Sequence, residues 1–354
     1  DNAMIRLNMY GWNDRLNQLK QESAYNTLSH GRIAIVHRTC YEVVSDSGLY
    51  QCELTGNMMY GKSDFELPCT GDWVLFQPFD DSKGIIVGML PRERTLYRKR
   101  NGTVAGKQAI ASYVDKAFIV QSLDDNFNMR RVERFMVQIL EENIHPVLIL
   151  NKADLPFDKQ ETEEAIRHLT RRMPVFFTSI HHPETVSRLR DSISEGETVV
   201  FVGSSGVGKS SLVNALCERS VLLTSDISQS TGKGRHTSTR REMVLMDGSG
   251  VLIDTPGIRE FGLTVDNPDS LAEMLEISNY AESCRFKDCT HTNEPGCAVL
   301  KAVAEGSLDA KVYESYLKLK REAWHFSASE HEKRKKEKSF TKLVEEVKRR
   351  KADS

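Results

Sequence analysis

The chain has 354 residues, with 48 Lys and Arg against 50 Asp and Glu, a formal net charge of −2. That length allows two or three domains, and the near-neutral balance excludes a polycation, so any nucleic-acid contact has to come from local patches. No apolar run approaches the roughly 18 residues of a membrane span, no signal peptide is visible, and seven unevenly spaced cysteines suit a reduced, cytoplasmic protein better than a disulfide scaffold.

Residues 1–29 read as a polar N-terminal arm. Leu16, Leu19 and Leu28 are its apolar points, which suits a short helix or a mobile segment. Residues 30–95 read as all-β. Ile33 and Ile35 alternate with Ala34 and Val36, and the run resumes at Tyr41-Glu42-Val43-Val44. Gly48, Gly56, Gly61 and Gly71 punctuate it, and Asp80-Asp81-Ser82-Lys83-Gly84 forms a turn between two apolar stretches. Several short strands with regular turn signals predict a small barrel, OB-fold or SH3-like. Residues 96–108 form a basic connector, preceded by Arg92 and Arg94. It reads either as a contact for RNA phosphates or as a solvated linker.

Residues 109–265 alternate strands and helices. Strands are expected near 117–121, 147–150, 175–178, 198–202, 242–246 and 251–253, and helices near 129–142, 159–172, 183–192 and 209–218. That alternation predicts a mainly parallel sheet with helices on both faces. Ligand-binding loops then gather at the carboxyl ends of the strands.

The strand at 198–202 runs into Gly203-Ser204-Ser205-Gly206-Val207-Gly208-Lys209-Ser210-Ser211, a G-x-x-x-x-G-K-S phosphate-binding loop. Its glycines let the backbone bend so that successive N–H groups face inward and cradle an anion. Lys209 is placed to reach the β- and γ-phosphates, and the Ser210 hydroxyl to hold Mg²⁺. Asn151-Lys152-Ala153-Asp154 follows the apolar run 147–150. The Asp154 carboxylate can accept two hydrogen bonds from guanine's Watson–Crick edge, where adenine presents an acceptor instead of the ring N–H. Asp254-Thr255-Pro256-Gly257 follows the strand at 251–253, with Asp254 suited to the Mg²⁺ shell through water and the Gly257 N–H to a γ-phosphate. Each tetrapeptide alone is weak. The three motifs together, each at the end of an apolar strand, specify a GTP site.

The order is reversed relative to an ordinary small GTPase, because the base-reading motif at 151 precedes the phosphate loop at 203. The chain is circularly permuted. The long polar stretch 222–241 lies between the phosphate loop and D-x-x-G, which makes it the first switch. It carries His236 and Thr237. Where many GTPases orient the attacking water with a Gln just after D-x-x-G, this chain has Ile258, which cannot hydrogen-bond water. His236 is the candidate to supply that function, against the alternative of an ordinary exposed loop histidine.

Residues 266–354 form a helical domain, with helices expected at 270–280, 298–304 and 309–325. Cys284, Cys289, His291 and Cys297 follow the spacing C-x₄-C-x-H-x₅-C. Three thiolates and one imidazole complete a tetrahedral zinc shell with no open position, so the metal is structural. The stretch 331–354 carries ten Lys and Arg against five acids, either a solvated helical tail or a contact for ribosomal RNA.

The permuted motif order together with this cluster resembles the ribosome-assembly GTPases of the RsgA (YjeQ) family, over nearly the whole chain. The resemblance implies an OB-fold for the barrel, then the permuted P-loop GTPase domain, then the helical zinc domain. It makes Thr237 the switch threonine that closes on Mg²⁺ and the γ-phosphate, and it supports His236, Lys209 and Thr237 as the catalytic group. Ser179 stands in the loop that backs the base in GTPases, although Ile180 replaces the usual alanine. It implies GTP and GDP as ligands, one Zn²⁺, Mg²⁺ with the nucleotide, and the small (30S) ribosomal subunit with its 16S RNA as partner. The expected protein is a cytoplasmic monomer that hydrolyses GTP, stimulated by the subunit. Two rival readings are a permuted GTPase of the large subunit and a zinc-containing RNA-binding protein whose nucleotide is only structural.

Overall fold

The computed structural model describes residues 5–59, 66–99, 107–124, 127–170, 172–217, 221–222, 242–254 and 277–327. The chain forms two compact units, Asp1–Gly262 and Leu263–Ser354. No described helix is long and apolar enough to cross a membrane.

The first unit opens with a 3-10 turn, Leu7–Tyr10, and a short helix, α1, Asp14–Glu22. Asn13 caps α1 by accepting the Leu16 N–H at 3.0 Å, which satisfies one of the orphan donors of a helix start. The arm is thus a helix packed on the body, with Tyr10 and Leu16 buried.

Strands β1 (Ser29–Val36), β2 (Tyr41–Ser45), β3 (Gly48–Leu54), β4 (Trp73–Asp80) and β5 (Lys83–Met89) follow. They pair in the order β1-β2-β3-β5-β4, and β4 returns to β1 through Arg32↔Trp73 to Ser29↔Phe76. The barrel is therefore closed, with five strands in the OB-fold arrangement. Period-2 alternation sends Ile33, Val43, Cys52, Val74, Phe76 and Ile86 inward, all buried. Gly31 lets β1 bend tightly against β2, since a Cβ there would sit 2.6 Å from the Val44 carbonyl oxygen.

The basic stretch is more ordered than a linker. Residues Leu96–Lys99 (β6) and Lys107–Ala111 (β7) pair as an antiparallel ribbon. Arg92 forms a bidentate pair with the buried Asp72, at 2.9 Å from Nε and 2.6 Å from Nη2. Arg94 pairs with Glu93 and Asp115, and Arg98 donates to Gln108. These cations are engaged within the protein, so their charge does not read as a free RNA patch.

The α/β domain is a sheet of β8 (Lys116–Ser122), β9 (His145–Asn151), β10 (Val175–Thr178), β11 (Thr198–Val202), β12 (Val221–Leu222), β13 (Glu242–Leu245) and β14 (Val251–Asp254). Its order is β10-β9-β8-β11-β14-β13, parallel up to β14 and antiparallel at β13, with β12 beside β13. Helices α3 (Met129–Glu141) and α4 (Lys159–Thr170) pack with Ile119, Leu148, Leu150, Val200 and Val202 on one face. Helices α5 (Pro183–Asp191) and α6 (Lys209–Cys217) pack with Phe118, Val120, Val147, Ile149 and Phe201 on the other. Consecutive strand residues feed opposite faces, as the side-chain period of two requires. The expected helices and strands here agree with those found to within two residues at their described ends. A four-residue helix, α2 (Gly56–Met59), follows β3 in the barrel.

The barrel joins the sheet in two ways. Strand β1 pairs with β13 at Ile35↔Glu242. The guanidinium of Arg32, 1% exposed, donates to the carbonyls of Tyr10, Gly71, Ser112 and Tyr113 and to the Thr198 hydroxyl. It also lies over the Trp73 ring. Burial pushes its pKa down to about 10, partly opposed by Asp115. A buried unpaired charge costs several kcal/mol. Hydrogen bonds to a charged group, each about 1.5–3 kcal/mol, offset it. One side chain thereby ties arm, barrel and α/β domain together.

The second unit contains α7 (Ser278–Ala281), α8 (Ala298–Ala304) and α9 (Ala310–Ser327). Among the described residues its buried apolar side chains include Ile277, Val299, Ala302, Leu308, Val312, Tyr316 and Leu319. The last two helices match expectation. The residues 270–276 expected as helix, and the basic tail 331–354, lie outside the described residues.

Candidate nucleotide site and metal centre

The phosphate loop leaves β11 beside β8. From β8 the chain winds through β9 and β10 on one side, then returns to β11 on the other. The loop therefore stands at a topological switch point, where open α/β sheets bind ligands. Gly203, Gly206 and Gly208 have φ of +148°, +84° and +90°, values that side-chain-bearing residues adopt only under strain. A Cβ at Gly203 would meet the Val120 carbonyl at 2.4 Å, and one at Gly208 would meet Asn151 Nδ2 at 2.4 Å. Ser204 is half-buried, Ser205 and Ser211 are exposed, and Val207 is buried among the residues of the α5–α6 face. Lys209 and Ser210 begin α6, whose first turn carries no acid, so its positive end is free to meet phosphate. The Lys209 ammonium donates to the carbonyls of Gly203, 2.6 Å, and Ser204, 2.5 Å. It is thus folded over the loop it serves.

The base-reading motif ends β9, two strands away. Asn151 is buried and its Nδ2 donates to the Val207 carbonyl at 2.9 Å. The Thr178 hydroxyl at the end of β10 donates to Asn151 Oδ1 at 3.0 Å, which fixes the amide's direction. Lys152 has φ +62° and its ammonium pairs with Asp124 at 2.7 Å. The other Asp124 oxygen accepts the Ser122 hydroxyl at 2.6 Å. The Ala153 N–H is bound to the Thr178 carbonyl at 3.0 Å. Asp154 is exposed, and the Ser179 hydroxyl donates to its Oδ1 at 2.5 Å. That bond, the largest cause, holds its carboxyl below the usual carboxylate range. Ser179 itself is buried, with its N–H on the Thr185 hydroxyl.

Asn151, Lys152, Asp154, Leu155, Ile180, His181, Gly208 and Ser211 line one cleft of about 220 Å³. The motifs at 151 and 203 thus converge on a single site despite their reversed chain order. Nothing in the motif pattern signals Asp124, Thr178, Leu155 or His181, because each acts through spatial contact. Strand β14 ends at Asp254 and pairs with β11. His236, Thr237 and Gly257 lie outside the described residues.

We expect Gly208→Ala to weaken GDP binding at least tenfold in calorimetry and to lower the melting temperature. The left-handed backbone alone costs about 1–3 kcal/mol for a non-glycine residue, and the new methyl displaces the Asn151 amide from Val207.

In the second unit, Cys284, Cys289, His291 and Cys297 bring their ligand atoms within 4.8 Å of one another. Cys284 Sγ lies 3.8 Å from Cys297 Sγ, and both lie 3.6 Å from His291 Nδ1. A tetrahedron with bonds of ~2.3 Å to sulfur and ~2.05 Å to nitrogen has edges of ~3.8 Å (S···S) and ~3.6 Å (S···N). Cys284, His291 and Cys297 are already spaced as a tetrahedral metal requires, and Cys289 lies within 4.8 Å of them. Burial, then the charge of Lys320, lowers the His291 pKa, which favours the neutral ligating imidazole. Burial pushes Cys289 up to about 12, a penalty that a bound cation reverses. Cys284 Sγ accepts the Ala298 N–H, and Cys297 Sγ the Leu300 N–H, at the start of α8. His291 has φ +62° and is held there from two directions. The Tyr313 hydroxyl donates to its carbonyl at 2.6 Å. The Glu294 carboxylate accepts the Thr290 hydroxyl and the N–H groups of Thr290, Thr292 and Asn293.

The family model described as RsgA GTPase matches residues 89–264. A curated protein of Bacteroides thetaiotaomicron, "Small ribosomal subunit biogenesis GTPase RsgA 1", is 75% identical over 352 residues, 99% of each chain. The chain belongs to the RsgA GTPase family. A more distant RsgA relative, from Methanosarcina acetivorans, is 41% identical over 88% of this chain and 84% of its own. Among solved structures, YjeQ from Thermotoga maritima superposes with a TM-score of 0.64, covering 83% of this chain and 98% of its own at 24% identity, which speaks for the fold. YloQ, described as a circularly permuted GTPase, gives 0.62 over 87% and 99%, at 26% identity. RsgA proteins are GTP hydrolases, and the cleft that brings Asp154 together with Gly208 and Ser211 of the phosphate loop is the candidate nucleotide site of this chain.

Proposed function

We propose that the protein is a GTP-driven switch that binds the small ribosomal subunit late in its maturation and hydrolyses GTP to GDP and phosphate under stimulation by that subunit. The observation that carries this is the 75% identity, end to end, to a small-subunit biogenesis GTPase. The convergence of the Asp154 and Lys209 motifs on one cleft supports it. Ser210 and Asp254 hold Mg²⁺ with the nucleotide, and Thr237 closes on that ion and the γ-phosphate. His236 orients the attacking water in place of the residue that Ile258 cannot be. The metal of the Cys₃His cluster is zinc, a structural ion that shapes the second unit. The barrel contacts 16S RNA, a reading supported by Phe79, 62% exposed on its surface. The protein works as a monomer in the cytoplasm.

Sedimentation with each ribosomal subunit tests the proposal. Association with the small subunit in a non-hydrolysable GTP analogue, released in GDP, is the expected result, together with faster steady-state GTP turnover when that subunit is added. Association with the large subunit instead, or no turnover under either condition, overturns it.

A further inference from the structure

We propose that Lys20 is an acyl-acceptor site: its amine, held against the His30 imidazole where α1 meets β1, takes an acyl group from a small acyl phosphate.

Lys20 lies in the last turn of α1, and His30 near the start of β1. Both are half-buried. The Lys20 Nζ stands 3.1 Å from His30 Nδ1. An ammonium can only donate, so Nδ1 is the bare ring nitrogen and the ring proton sits on Nε2. The Trp12 ring lies on the imidazole, with centroids 4.0 Å apart and planes inclined by 33°, and it meets Trp73 edge-on at 4.9 Å. The imidazole is thereby fixed with its basic nitrogen towards the amine.

Other lysines have the opposite surroundings. Lys116, Lys152, Lys159 and Lys301 each face a carboxylate, and a nearby anion keeps an amine protonated. Lys20 faces a base. Burial lowers the Lys20 pKa, partly opposed by the charge of Asp46. Burial, then the charge of Lys20, lowers the His30 pKa, and Asp46 again opposes. Both shifts favour the uncharged forms, an amine that is a nucleophile and an imidazole that accepts a proton.

The ammonium first gives one proton to water. The lone pair of the amine forms the N–C bond to the acyl carbon. The bond from that carbon to the phosphate oxygen breaks, and the phosphate leaves with the electron pair. The surplus proton on nitrogen passes to His30 Nδ1 and from there to the departing phosphate. The product is a neutral amide. An amine half-buried between helix and strand is reached more readily by a small donor than by a bulky one. Amide formation removes the positive charge that joins α1 to β1, on the same arm whose Tyr10 carbonyl Arg32 holds.

Incubation of the full chain with acetyl phosphate, with each lysine followed over time by mass spectrometry, tests this. Lys20 should be acetylated at least about tenfold faster than Lys159 and Lys301. Those two side chains are 75% and 73% exposed, so access alone gives the reverse order. His30→Gln keeps a hydrogen-bond acceptor but no base. It should bring the Lys20 rate down to that of the surface lysines and leave theirs unchanged. Acetyl-CoA at the same concentration is the bulky donor, and should modify Lys20 no faster than Lys159. A wild-type protein in which Lys20 reacts with acetyl phosphate no faster than Lys159 overturns the proposal, and that comparison involves no substitution that could disturb folding. An undiminished Lys20 rate in His30→Gln, or a Lys20 preference for acetyl-CoA over acetyl phosphate, overturns it as well.

Discussion

Asp154→Asn is expected to weaken GDP and GTP binding by about 10³–10⁴-fold, somewhat less than the 10⁴–10⁵ reached when a fully buried hydrogen-bonding site meets the wrong partner. The carboxylate presents two acceptors to guanine's N1–H and exocyclic amine. An asparagine presents one acceptor and one donor, so a donor faces the amine. Xanthine carries a carbonyl where guanine carries that amine, and the same variant should therefore gain affinity for xanthosine diphosphate. Parallel titrations with GDP, xanthosine diphosphate and ADP check this. A variant that keeps GDP affinity, or one that gains ADP as readily as xanthosine diphosphate, contradicts the assignment. The pH dependence follows from the same geometry. The Ser179 hydroxyl lowers the Asp154 pKa, so the contribution of the ionised carboxylate is present above the ordinary carboxylate range. It is lost only as pH falls through the lowered value. Base selectivity should accordingly persist at mildly acid pH and be lost earlier on titration of a Ser179→Ala variant.

Removal of the metal, by chelation or by Cys297→Ser, is expected to abolish the fold of the second unit while GDP binding by the first stays within about twofold. Binding of a structural zinc is worth about 10–16 kcal/mol in small metal-folded domains, whereas whole domains are stable by only about 5–15 kcal/mol. A metal that joins four residues beside α8 and α9 therefore contributes a share of stability comparable to that of a whole domain. Cys297 also caps α8 through the Leu300 N–H, so its loss removes a ligand and a helix start together. Elemental analysis should fall from one zinc per chain towards none, and helical circular dichroism should drop while calorimetric GDP titration is retained. Full helicity in a metal-free sample would show that packing alone holds the unit.

Much of this was legible in the chain. The strands at 147–150, 175–178 and 198–202 are apolar runs bounded by polar turns, and the helices repeat at 3.6 residues, so both could be placed from local pattern. The barrel was legible as short strands, but not as a particular barrel. Its kind depends on β3 pairing with β5 and β4 returning to β1, contacts between segments far apart in the chain. The ribbon of β6 and β7 was hidden because its cations resemble a solvated connector. Asp72, buried and remote in sequence, and the Leu67 carbonyl are internal partners of Arg92 that the local sequence does not signal.

The chain alone determined the chemistry on offer: a glycine-rich loop, a base-reading carboxylate, three thiols and an imidazole at metal-binding spacing. Short-range spacing suffices for these because each motif folds on its own strand end or turn. Tertiary structure alone decided what those groups share. Asn151 reaches the Val207 carbonyl, and Ser179 sets Asp154, only because parallel strands align their carboxyl ends at one edge. Hydrogen bonds and apolar walls act over a few ångströms in space, without regard to separation along the chain. The same fact lets a permuted order bring Asp154 and the phosphate loop to one cleft, and lets Arg32, with no motif around it, become the tie between barrel and sheet.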